Sequence, residues 1–69
     1  MRPYYIIHDR TTAMLPSYQV TVETTTGEGI DFHFRALDKV TAALEVTSYA
    51  QQYGITVRQV LRVESLLPG

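Results

Sequence analysis

The chain reads as an α+β domain: a single four-stranded mixed sheet with one helix packed on one face, in the order β-β-β-α-β. Three observations predict it. Residues 18–23 and 30–35 each alternate apolar and polar side chains, the period of a half-buried strand. Gly27 and Gly29 lie between them, and glycine accepts the positive φ that tight hairpin connections demand. From residue 39 to 53 the pattern changes to that of an amphipathic helix.

Taken in order, residues 4–8 are aromatic and β-branched between Pro3 and Asp9, and read as the first strand. Residues 9–17 lose all periodicity and contain Pro16, so they form a loop carrying the apolar island Ala13-Met14-Leu15. The second strand sets Tyr18, Val20 and Val22 against Gln19, Thr21 and Glu23. The third sets Ile30, Phe32 and Phe34 against Asp31, His33 and Arg35. Asp38 is placed to cap the helix N-terminus by accepting from a free amide of the first turn. At about 100° per residue, Val40, Ala42, Ala43, Val46, Tyr49, Ala50 and Tyr53 gather on one broad side. Thr41, Glu45, Ser48 and Gln52 fall opposite, with Leu44 at the margin, and Gly54 supplies the left-handed residue that ends the helix.

Residues 57–64 form the last strand, with Val57, Leu61 and Val63 on one parity and Arg58, Val60, Arg62 and Glu64 on the other. The first three strands are expected to run antiparallel. The helix is expected to return the fourth parallel to the first, giving the spatial order 3-2-1-4, with 4-3-2-1 as the alternative. Either leaves one sheet face free, and that face is the natural place to look for function.

Sixty-nine residues suffice for one domain, spanning 1–69. A chain of this size buries only about 60% of the surface its unfolded form exposes. With no cysteine, neither a disulfide nor a thiolate zinc site can supplement the core. The N-terminal apolar run is too short for a signal peptide, and nothing approaches the roughly 20 apolar residues of a membrane helix. A cytoplasmic protein without membrane contact is expected. The formal net charge of −1 lowers, without removing, a nucleic-acid role, since phosphate neutralisation supplies most of such affinity.

Asp31, His33 and Arg35 project from one face near Thr21 and Glu23. A carboxylate beside an imidazole can orient it for proton transfer or begin a metal site. Cross-strand charge pairing explains the same residues with no chemistry. His8 meets His33 only in one strand register, and two histidines build no HExxH motif. Gly27-Glu28-Gly29 joins two strands and lacks the third glycine of a dinucleotide loop. No catalytic residue, metal ligand or cofactor is therefore assigned.

Binding is left. Arg58 and Arg62, with Arg35 and the tyrosines, could face single-stranded nucleic acid, although Glu23, Asp31 and Glu64 oppose phosphate there. Five tyrosines either serve an interface or finish the borders of a small core. Met14 and Leu15 either offer a flexible apolar contact or fold back as a cap. The expected partner-binding residues are Tyr4, Met14, Leu15, Tyr18, Arg58 and Arg62. The sheet's two edges, with few lysines to blunt them, add the expectation of a homodimer.

The hairpin-then-helix order resembles the arm-binding domains of phage integrases, and that resemblance implies DNA binding. Those domains are markedly basic, and this chain departs from them there. In size, absence of cysteine and lack of catalytic motifs, the chain is similar to small inhibitors encoded by phages and mobile elements, including anti-CRISPR proteins. That similarity implies a non-enzymatic protein that modulates or inhibits a larger protein partner by surface contact. A nucleic-acid-binding module using the exposed sheet face is the alternative.

Overall fold

The computed structural model describes residues 3–66, so Met1 and Arg2 of the short N-terminal run lie outside the described residues. It contains β1 (Tyr4–Ile6), a single 3-10 turn (Arg10–Thr12), β2 (Ser17–Thr24), β3 (Gly29–Arg35), α1 (Lys39–Gln52) and β4 (Val57–Ser65). These form the expected mixed four-stranded sheet with one helix.

The hairpin of β2 and β3 is the centre of the sheet. Tyr18, Val20 and Val22 stand opposite Phe34, Phe32 and Ile30, and all six are buried beneath the helix. At the turn, the Gly27 amide donates to the Thr24 carbonyl at 2.9 Å. Gly27 takes φ +86°, and Gly29 is an ordinary strand residue, so only one of the two glycines uses its conformational freedom.

The helix is closed at both ends by local chemistry. Asp38, with extended backbone, accepts from the Thr41 amide at 2.8 Å. At the other end Gly54 has φ +73°, its amide donates to the Gln51 carbonyl, and the Ile55 amide donates to the Ala50 carbonyl. This pair of bonds is the Schellman motif, which satisfies carbonyls the helix cannot. Ala42, Val46 and Ala50, one turn apart, form the buried stripe. Two alanines let the helix settle close against Phe32 and Phe34.

The spatial order corrects both expected arrangements: it is β1-β3-β2-β4. β1 lies parallel to β3, pairing Tyr5 with Phe32 and Ile6 with His33, and β4 runs antiparallel to β2. The first connection, residues 7–16, contains a helical turn and is no tight hairpin. It carries the chain from β1 past β3 to β2, so β1 joins the outer edge of β3, where Tyr5 stacks on Phe32 at 5.4 Å between ring centroids. The helix then carries the chain over β2 to its free edge.

β4 also breaks the expected alternation. Its register against β2 shifts twice, between Thr21 and Val22 and between Glu23 and Thr24, leaving Arg58 and Leu61 as extra residues. These are β-bulges, and they convert a period of two into three. Val57, Val60 and Val63 therefore pack against the core, while Leu61 is 53% exposed. The parity expected for Val60 and Leu61 is reversed.

Candidate functional site

The sheet face turned away from the helix carries Tyr4, Ile6, Asp31 and His33 from β1 and β3, and Gln19, Thr21 and Glu23 from β2. At its centre the Thr21 hydroxyl donates to the Asp31 carboxylate at 2.5 Å, and both residues are buried. The Tyr4 hydroxyl lies 2.9 Å from His33 Nδ1. Asp31 and His33 thus share a face, as the alternation requires, and each engages a different neighbour. Among the described residues no three of His, Cys, Asp and Glu converge as a metal site.

Arg58 and Arg62, at the β4 side of this face, are matched by carboxylates. Arg58 Nε stands 4.0 Å from Glu23, which also accepts from the Gln59 amide at 2.8 Å. Arg62 forms an ion pair with Glu64. Charge is thus largely balanced within the face.

The six expected contact residues scatter. Met14 is 96% exposed. Leu15 is half-buried and its carbonyl accepts from Arg35 Nη1 at 2.7 Å. Tyr4, Arg58 and Arg62 are exposed on the open face or its margin. Tyr18 is only 8% exposed and belongs to the core, so it presents no ring to a partner of the folded chain. The other tyrosines also act largely as core borders. Tyr49 packs on Phe34 at 4.7 Å and Tyr53 on Tyr5 at 4.7 Å. Burial, then the charges of Glu45 and Asp9, pushes the Tyr49 hydroxyl pKa up.

The chain matches no known protein-family model, no curated protein and no solved structure. Function has to be argued from the geometry alone.

Two features were not anticipated from the sequence. The first is on the helix and just before its N-cap. Leu37, Val40 and Leu44 are 66%, 70% and 74% exposed, although Val40 was expected in the core-facing arc. With Ala42, Val46 and Ala50 defining the inward direction, Val40 and Leu44 form a second apolar stripe on the outer side. The signal was present as two separate one-turn spacings, 40/44 and 42/46/50, of which the broad arc took in Val40 and left Leu44 at its margin. The second feature is a depression of about 330 Å³ beside the 3-10 turn, where Arg10 and Arg35 meet Ile7, His8 and Asp9. Asp9 caps the turn, accepting from the Thr11 hydroxyl at 2.7 Å and the Thr11 amide at 3.0 Å, and these bonds hold its carboxyl below the usual value.

No helix among the described residues is long and apolar enough to cross a membrane.

Proposed function

We propose that this chain is a non-enzymatic binding protein that modulates or inhibits a larger protein partner by surface contact. One observation carries the reading: the outer side of α1 displays Val40 and Leu44 to water, opposite the stripe that packs on the sheet, and Leu37, exposed just before the Asp38 cap, adds a third apolar side chain at that end. A helix that served only to cover a sheet would be polar there. Burying a large aliphatic side chain contributes about 1.5–3 kcal/mol, so Val40 and Leu44, one turn apart, together offer a substantial docking contribution. Grouped exposed apolar residues mark interaction surfaces far more often than isolated ones do. Met14, on the loop before β2, adds a flexible contact of the same chemistry.

The sheet face supports the protein reading over the nucleic-acid one. Arg58 and Arg62 face Glu23 and Glu64, so phosphate approaching either arginine meets a carboxylate as well. The small size and surface-contact mode fit a cytoplasmic inhibitor of the kind carried by phages and mobile elements. A second copy of the chain is the other occupant the apolar strip could take, giving a homodimer. The sheet edges are poorer places for self-association than expected: β1 is three residues long and β4 is bulged twice, both devices that blunt an edge.

Affinity capture from the native host, with the tagged chain at its natural expression level, tests the proposal. A stable, stoichiometric protein partner is expected. Recovery of no protein, or of nucleic acid that competes away with salt, would overturn it.

A further inference from the structure

Four arginines lie among the described residues, and they divide into two kinds. Arg58 and Arg62 are opposed by Glu23 and Glu64 on the sheet face. Arg10 and Arg35 have no ion-pair partner among the described residues, and both line the depression of about 330 Å³ at the other end of β3. Unmatched guanidinium groups scattered over a surface mean little. Two of them lining a single concavity concentrate positive potential where low-dielectric walls strengthen it.

The concavity is also prepared for an anion. Arg35 is held by its Nη1 bond to the Leu15 carbonyl, which fixes the guanidinium against the loop and lowers the cost of ordering it on binding. The wall also carries one carboxylate, Asp9, whose Oδ1 accepts two bonds from Thr11; with two arginines against one aspartate, one positive charge is left in excess. His8 adds a further imidazole, and it also lines the adjoining depression that contains His33. Ile7 and Ala13 supply apolar wall, with the exposed Met14 next in the chain.

The geometry points to a carboxylate-binding cleft: Arg10 and Arg35 receive an aspartate or glutamate side chain of a partner protein, with Ile7, Ala13 and Met14 contacting its apolar neighbours. A guanidinium presents several N–H donors in a plane, the arrangement that matches a carboxylate in two bonds. The mixed apolar wall and the overall charge of −1 favour an acidic peptide over a polyanion. This deepens the protein-partner reading and rests on it.

The test is a titration of the isotope-labelled full chain, followed by amide chemical shifts at low salt. The probes are a blocked Asp-Glu-Leu tripeptide, a blocked Lys-Gly-Leu tripeptide and inorganic phosphate. The acidic peptide is expected to give saturable shifts around residues 7–14 and at Arg35, and the basic peptide none. Arg10→Gln, which leaves the Arg35–Leu15 bond in place, should weaken acidic-peptide binding by about tenfold or more, the loss of a charge-assisted hydrogen bond. Arg58→Gln should not change it. Absence of saturable shifts, shifts centred on the sheet face, binding of phosphate without binding of peptide, or full affinity in a folded Arg10→Gln variant would each overturn the assignment. Peptide binding at this cleft together with no captured host protein would keep the cleft and sink the partner reading. Capture of a host partner undiminished by Arg10→Gln would do the reverse.

Discussion

The Thr21 hydroxyl donates to the Asp31 carboxylate at 2.5 Å, directly across the β2–β3 ladder, on the sheet face that carries no helix. Both residues are buried, Asp31 to 6% exposure. The open face thus has a small polar centre of its own. Replacing Thr21 by valine keeps the volume and removes the donor. The expected loss is about 1–3 kcal/mol, because a buried acceptor loses a partner. Urea denaturation with an unchanged slope measures it, and an unaltered midpoint would show that the bond contributes nothing.

Phe32 is fully buried at the crossing of the central hairpin, the helix and the Tyr5 ring. Truncation to alanine should cost about 3–5 kcal/mol. A domain of this size rarely holds more than that, so Phe32→Ala should lose cooperative thermal unfolding near room temperature. Ile6→Ala, on the open face, should retain it.

The two bulges make a sharper prediction about β4. Leu61 was expected on the core side and is exposed, while Val60 was expected outside and packs inward. Leu61→Lys should change stability by no more than about 0.5 kcal/mol, the usual range for a surface site. Val60→Lys should unfold the chain or shift its melting sharply, since it drives a charge against the core. Thermal melts of the pair decide the register; the opposite ranking would restore simple alternation.

Asp38 links the helix to pH. Its carboxylate accepts from the Thr41 amide and then interacts with the Thr41 hydroxyl, and these bonds hold its pKa below the ordinary 3.8. A carboxyl that is more acidic folded than unfolded stabilises the fold above the unfolded value and loses that contribution as pH falls through the folded one. Helix signal in circular dichroism should therefore decline below about pH 3.8 in the native chain. Asp38→Asn keeps an oxygen acceptor without the charge and should flatten this acid limb, and Asp38→Ala should lower helix stability near neutral pH too. An acid limb unchanged in Asp38→Asn would assign it to other carboxyls.

Local signals were legible where one physical rule decided the outcome. Alternation in 18–23 and 30–35 located the hairpin, and Asp38 and Gly54 marked the helix ends. Three things were not legible, each for its own reason. The strand order depends on whether the loop after β1 makes a hairpin or travels, and composition does not separate the two. The phase of β4 depends on bulges, which insert single residues without a sequence mark. The outer helix strip was hidden because the broad apolar arc took in Val40 and left Leu44 at its margin, although both lie on the side opposite Ala42, Val46 and Ala50. The Arg10–Arg35 cleft joins residues far apart in the chain, and no local pattern announces it.

The most direct test of the account is a comparison of protein capture by the native chain and by a Val40→Glu, Leu44→Glu double variant. Both substituted positions are exposed, so the variant should melt close to the native chain. The native chain is expected to retain a defined protein partner and the variant to lose it. A partner bound equally by both, with the variant demonstrably folded, would contradict it.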